Sequence, residues 1–155
     1  MIRKDKILNM DYHVSLKLIL KNRLGEALIM KAPDNTALAG YYDLPGGRIN
    51  RKEVALSLKK IIEREVGEEI GAKVKFTLKE YPVAVGRHVY YSKRYQRDQH
   101  LIWIIFEAKY ISGKVNISSE HKEYVWVKLT KRNYKRYFTA GPLRGVHNYL
   151  FHKLI

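Results

Sequence analysis

Apolar residues recur along this chain at two periods, and the change from one to the other marks its elements. Over residues 12–21, Val14, Leu16, Leu18 and Leu20 alternate with more polar neighbours, the period-two pattern of a strand. Asn22-Arg23-Leu24-Gly25 reads as a turn, and residues 26–31 as the returning strand. Pro33, Asp34, Asn35 and Gly40 make residues 32–42 a loop. Residues 72–85 are β-like, with Val74, Phe76 and Leu78 on one parity. Residues 100–111 are apolar on both parities (Leu101, Trp103 and Ile105 against Ile102, Ile104 and Phe106), which predicts a central strand covered on both faces. Gly113 marks a turn, and residues 124–129 give one more short strand.

The period lengthens twice. Wound at about 100° per residue, Ala55, Leu58, Ile62, Val66 and Ile70 fall into one stripe. Asn50 followed three residues later by Glu53 is close to a capping box, and Gly71 stands where a C′ glycine belongs. Those signals predict a helix of about 20 residues between them. Over residues 143–155, Val146, Leu150 and Leu154 again have helical spacing, with Pro142 suited to the first turn. Strands around one central helix, with a second helix at the end, predict a single domain over residues 1–155. Its class is α/β (α+β layered), a mixed β-sheet sandwiched between helices.

The central helix carries the candidate chemistry. Glu65, Glu68 and Glu69 stand beside Arg64, and offsets of three and four put such side chains on one helical face. Glu65 and Glu69 flank the apolar stripe and Glu68 lies just beyond, so the acids border the buried face. Three carboxylates at such a margin repel one another, and a hard divalent cation with oxygen ligands relieves that repulsion. A solvated acidic patch is the plainer account of these acids alone. The Pro45-Gly46-Gly47 turn upstream and Gly71 downstream shift the balance towards a metal.

Composition narrows the classes. Hydrophobic content of 46% and charged content of 29% describe a globular chain. With no cysteine, disulfides, thiolate catalysis and a cysteine zinc site are excluded. His88, His100, His121, His147 and His152 show no zinc-like pairing. The apolar run near 101–106 is too short to span a bilayer, and residues 1–6 lack the apolar core of a signal peptide. The expectation is a soluble, cytoplasmic protein with no membrane partner. Thirty Lys+Arg against 15 Asp+Glu give a net charge of +15, a field that draws polyanions, nucleic acid or small phosphorylated metabolites. Solvated surface lysines account for the same number equally well. Residues 87–100 and 131–138 are basic and aromatic together, suited to phosphates and bases or, more plainly, an exposed hairpin and a solvated helix face.

With these residues in view, the chain resembles the Nudix hydrolase family (MutT-like), whose box is Gly-x5-Glu-x7-Arg-Glu-(apolar)-x-Glu-Glu-x-Gly-(apolar). Gly47-x5-Glu53 matches its first half, and Arg64-Glu65-Val66-x-Glu68-Glu69-x-Gly71-Ala72 its second. Tyr42-Asp43-Leu44-Pro45-Gly46 is similar to the family's lead-in, and Glu120-His121-x-Glu123-x-x-Trp126-Val127 to a segment seen after the box. One departure stands out: ten residues separate Glu53 from Arg64 instead of seven. Three extra residues either lengthen the entry loop or extend the helix by nearly a turn. In the second case Glu53 lies roughly 16 Å from Arg64 along the axis and is only a capping residue.

The resemblance implies an α/β/α sandwich that hydrolyses a pyrophosphate bond in a nucleoside diphosphate linked to another group, with Mg²⁺ (or Mn²⁺) as cofactor. It implies Glu65, Glu68 and Glu69 as metal ligands with a backbone carbonyl of Gly46 or Gly47, and Arg64 as the residue orienting a glutamate, Glu65 above all. Glu68, Glu120 and Glu123 are the candidates for general base, with Glu120 preferred. Arg48, Arg87, Tyr90, Arg94 and Tyr95 are the candidates for substrate binding. Nucleoside triphosphates, nucleotide sugars, dinucleotide polyphosphates and RNA 5′ ends all fit that class, and a homodimer is compatible with it. The competing reading is a non-catalytic nucleotide- or RNA-binding regulatory module on the same fold.

Overall fold

The computed structural model describes residues 10–153, so the N-terminal residues 1–6 and Leu154, both used above, lie outside the described residues. The alternating segment forms β1 (Tyr12–Lys21), and a turn capped by the Asn22 side chain leads into β2 (Ala27–Lys31). After β3 (Tyr42–Asp43) come α1 (Leu58–Val66), β4 (Lys75–Leu78), β5 (Ala84–Ser92), β6 (Arg97–Ser112), β7 (Tyr124–Val127) and α2 (Ala140–Leu150). The sheet order is β3-β2-β1-β6-β4, with β5 on β6 and β7 on β2. β1 and β6 run parallel in register from Tyr12↔His100 to Lys21↔Lys109, and the other pairs are antiparallel. The expected central strand is therefore β6, with β1 along one edge and β5 then β4 along the other.

Strand parity sorts the side chains into two cores. Leu16, Leu18, Leu20 and Phe106 face α1, where Ile61, Ile62, Val66 and Ile70 cover them. Ile19, Trp103 and Ile105 face the opposite way, under Phe138 and Val146. Helices on both faces of a mixed sheet make this the α/β/α sandwich expected. No helix among the described residues is long and apolar enough to cross a membrane.

Four elements differ from expectation, among them the C-terminal helix, which runs Ala140–Leu150 where the spacing predicted 143–155. The central helix is shorter than about 20 residues: Asn50 and Glu53 do form a capping box, but on a single 3₁₀ turn, Arg51–Glu53. The α-helix begins afresh where the Ser57 side chain accepts from the Lys60 N–H. Ala55 and Leu58 are consequently exposed, and the last five residues, Gly67–Gly71, wind more widely in a π-type turn. The β-like segment 72–85 splits, because Pro82 has no N–H for the ladder. Residues 131–138 form no solvated helix face: a short 3₁₀ turn over Tyr134–Arg136 buries Tyr134 and Phe138 beneath the sheet.

One ion pair network pins α2 to the sheet. Glu107 on β6 bonds Lys21 at 2.9 Å and Lys79 at 2.6 Å and accepts from the Tyr149 hydroxyl. Burial by itself raises its pKa, but those three donors outweigh it and hold the carboxyl at about 2, against 4.5 in the open chain. A carboxylate with a lowered pKa stabilises the fold above its unfolded value and loses that contribution as pH falls towards the folded one. At about 1.4 kcal/mol per pH unit this gives roughly 3 kcal/mol as an upper bound. Glu107→Gln is expected to lower the melting temperature at pH 7. The gap to the wild type should close between pH 4.5 and 2, as followed by circular dichroism; a pH-independent gap would remove the ionic origin.

Candidate active site

The site is assembled where the glycine turn meets the C-terminal half of the acidic helix. Residues 45–49 run along β1: Leu18 N–H donates to the Pro45 carbonyl at 2.8 Å and Leu16 N–H to the Gly47 carbonyl at 2.9 Å. That brings the turn under α1. The Gly46 N–H donates to Glu69 Oε2 at 2.6 Å, and a Cβ on Gly47 would lie 2.5 Å from the Glu65 carboxyl atoms. Glu65 and Glu69 are each only 9% exposed, whereas Glu68 reaches solvent.

Arg64 ties the acids together. Its guanidinium donates to Glu65 Oε1 at 2.7 Å, to Glu68 Oε2 at 2.7 Å, and through Nε to Glu53 Oε1. Glu53 is 5% exposed, and its other oxygen accepts from the Asn50 N–H at 2.9 Å. That backbone bond, and then Arg64, lower the Glu53 pKa. Glu53, on a separate turn ahead of α1, folds back against Arg64 instead of standing three turns away. Burial raises the Glu65 pKa; Arg64 opposes this, and neighbouring Glu69 and Glu68 add to it. A buried carboxylate beside two others is short of positive charge.

Part of that charge comes from a residue the pattern did not single out. Lys17, 7% exposed on β1, donates to Asp43 Oδ2 at 2.8 Å, to the Leu44 carbonyl at 3.1 Å and to the Gly46 carbonyl at 2.7 Å. Its burial disfavours the charge, but Asp43 and then Glu69 outweigh that and raise its pKa. Both glycine carbonyls therefore already accept a bond from the protein, Gly47's from the strand and Gly46's from this ammonium. A charged residue at an inward position of an apolar strand was the signal available in the sequence.

Beside the turn opens a cavity of about 420 Å³ lined by Lys17, Gly47, Arg48, Glu69, Glu120 and His121 on its polar side. Its apolar wall is His88, Tyr90, Leu101 and Trp103, closed by Gly141 and Pro142 of α2. His88 and Tyr90 stack at 6.1 Å between centroids, and Arg48 donates to the Tyr90 hydroxyl at 2.7 Å. Burial, and then the Arg144 guanidinium, lower the His88 pKa. His121 is mostly buried, with Nε2 3.4 Å from Glu69 Oε1 and Nδ1 enclosed without a partner among the described residues.

The remaining candidates are dispersed. Glu120 lines the cavity. Glu123 faces elsewhere, bonded to Lys31 at 3.2 Å and to the Tyr42 hydroxyl at 3.0 Å. Arg94 and Tyr95 sit at the tip of the β5–β6 hairpin, the Arg94 guanidinium carbon 5.5 Å from the Tyr95 ring centroid, and do not line this cavity. Arg87 lines a different depression from the one Tyr90 lines. Hairpin alternation explains this, since neighbours on a strand face opposite ways.

For a divalent cation the donor chemistry fits: Glu65 and Glu69 are paired buried carboxylate oxygens at a glycine turn that a Cβ would fill. Among the described residues no three acidic or histidine side chains are gathered at ligand distance, because Arg64 holds Glu68 outward.

No family model and no curated protein matches the chain. Solved structures do. A MutT protein from Methanosarcina mazei Go1 is 30% identical, with a TM-score of 0.59 over 77% of this chain and 79% of that one. A MutT NUDIX hydrolase from Burkholderia pseudomallei is 20% identical, with a TM-score of 0.59 over 77% and 84%. The NUDIX domain of Shewanella oneidensis NrtR, complexed with ADP ribose, is 14% identical, with a TM-score of 0.55 over 77% and 74%. The last two likenesses concern the fold alone.

Proposed function

We propose, given that this chain belongs to the Nudix (MutT-like) family of hydrolases, that it cleaves a pyrophosphate bond in a nucleoside diphosphate derivative with the help of Mg²⁺ or Mn²⁺. The observation that carries this reading is the pair of buried carboxylates, Glu65 and Glu69, set against the Gly46–Gly47 turn, with Glu69 and Gly47 lining the cavity. Such a cation, when bound, neutralises a diphosphate and lowers the pKa of water.

The chain's own residues divide the rest. Glu65 and Glu69 would hold the cation, joined by Glu68 once its bond to Arg64 gives way. Arg64 keeps Glu65 oriented, as a second layer of hydrogen bonds does for many metal ligands. Glu120 is the carboxylate free to take a proton from water in the cavity. Glu123 is committed to Lys31 and Tyr42. The His88, Tyr90 and Trp103 wall offers a nucleobase an aromatic surface, and Arg48 stands where phosphates would pass between wall and carboxylates. A ligand of this class, ADP ribose, is bound by one of the neighbours described above.

The test is a screen for released phosphate or pyrophosphate across nucleoside triphosphates, nucleotide sugars, dinucleotide polyphosphates and 5′-triphosphorylated RNA. Turnover of at least one class with Mg²⁺, lost on adding a chelator, is the expected result. Binding of nucleotides without turnover under any divalent metal would favour a regulatory module instead.

A further inference from the structure

Lys17 sits between Leu16 and Leu18 on β1 and is 7% exposed, an unusual place for a lysine. An ammonium has three donors and no acceptor. Here each donor has an oxygen within reach: Asp43 Oδ2 at 2.8 Å, the Leu44 carbonyl at 3.1 Å and the Gly46 carbonyl at 2.7 Å. Lys17 borders the cavity, yet with all three donors engaged none is left for a substrate phosphate. Its charge is directed at the glycine turn instead.

The three acceptors are of the kind that a hard cation takes, one carboxylate and two backbone carbonyls. They are placed by the backbone and not by the lysine. Along the turn, alternate carbonyls serve different partners. Those of Pro45 and Gly47 accept from the Leu18 and Leu16 N–H groups of β1, and those of Leu44 and Gly46 accept from the ammonium. The strand pairing therefore keeps the two free carbonyls convergent even without Lys17. Acids supply the field around them. Burial opposes the charge on Lys17, while Asp43, Glu69 and Glu65 sustain it.

We propose that Lys17 is a resident cation, filling a cation seat formed by Asp43, Leu44 and Gly46 and competing through its charge with a divalent ion at Glu65 and Glu69. The inference rests on the reading above for that ion, and adds to it a neighbouring seat that the protein fills for itself. A tethered ammonium cannot dissociate, so the glycine turn stays in place beside Glu69 when no metal is bound. The same fixed charge repels a divalent ion nearby, so the carboxylates bind it less tightly than they would alone. Lys17 is thus a positioning residue for the turn and a brake on metal affinity.

The test uses two variants. Lys17→Met removes the charge and keeps most of the stem, whereas Lys17→Ala removes both and empties the seat. In calorimetric titrations without nucleotide, Lys17→Met is expected to bind Mn²⁺ about tenfold more tightly than wild type, because one repelling charge is gone. Loss of a lysine that only braced the turn would leave binding equal or weaker. Lys17→Ala is expected to bind one more Mn²⁺ per chain than wild type. Added n-propylammonium, the group that this substitution removes, should raise its melting temperature by about 3 °C. Tetramethylammonium, which has the charge but no N–H, should not, and neither amine should move the wild type. Either response of Lys17→Ala supports the seat. Mn²⁺ binding by Lys17→Met no tighter than wild type, or a Lys17→Ala protein that gains neither the ion nor the response to n-propylammonium, overturns the proposal. Should Lys17→Ala not fold, the Lys17→Met titration decides. If neither wild type nor Lys17→Met binds a divalent ion, the metal in the proposed function falls, and the n-propylammonium melt decides on the seat.

Discussion

Glu69→Gln is expected to lose about a thousandfold of turnover while leaving the fold unchanged. The side chain is 9% exposed, and one oxygen accepts from the Gly46 N–H while the other faces His121. Glutamine keeps the size, and its carbonyl can still accept from Gly46, so the melting temperature should move by only a few degrees. What is lost is a negative charge on a hard oxygen ligand. Cation stabilisation of a phosphoryl transition state contributes several kcal/mol, and each 1.4 kcal/mol is about tenfold in rate. Steady-state rates across a Mg²⁺ titration, with a thermal melt alongside, check both halves. Turnover within tenfold of wild type at saturating metal would remove Glu69 from the site.

The two glycines of the turn should fail in different ways. Gly46 has φ near +120°, and a Cβ there would meet the Leu16 carbonyl oxygen at 2.1 Å and its carbon at 3.1 Å. That obstacle is the backbone of β1, which is locked to β6 over its whole length. Gly46→Ala therefore combines a disfavoured backbone with a steric conflict that cannot relax, at about 3 kcal/mol or more. For a domain of this size that lowers the melting temperature by about 10 °C. At Gly47 the obstacle is only the far end of Glu65, 2.5 Å from the built Cβ. A flexible side chain can swing away, so Gly47→Ala should fold, with Glu65 displaced and turnover down at least about a hundredfold. Thermal melts and metal titration by calorimetry separate the cases: Gly46→Ala unstable, Gly47→Ala stable but weak for metal. A fully active Gly47→Ala would show that Glu65 does not serve where the geometry places it.

These predictions depend on contacts that differ in how readable they were along the chain. Strand periodicity located β1 and β2 to within a residue, and apolar residues on both parities identified β6 as central, because such patterns state directly which faces are covered. Capping signals were less reliable. Asn50 and Glu53 do make a capping box, but it closes a single turn, and Ser57 starts the helix proper. A cap reports only its own turn, not how far the helix behind it runs.

Glu65, Glu68, Glu69 and Arg64 were legible as a cluster because offsets of three and four decide it locally. Their partners are not local. Glu53 reaches Arg64 by a folded entry segment whose path no spacing rule gives. Lys17 and His121 come to Glu69 and the glycine turn from β1 and from the segment before β7, far apart in sequence. The basic aromatic run over 87–100 was seen as one cluster, but a strand turns alternate residues to opposite sides. Tyr90 lines the nucleotide-sized cavity, Arg87 a different depression, and Arg94 and Tyr95 neither. The sequence alone thus determined the layered fold and which helix carries the acids, since both follow from periodicity along one segment. Only the tertiary structure decided which acid Arg64 restrains, which cation sits among the carboxylates and which residues of the basic run line the cavity. Those depend on how distant segments are brought together, and periodicity along one segment carries no record of that.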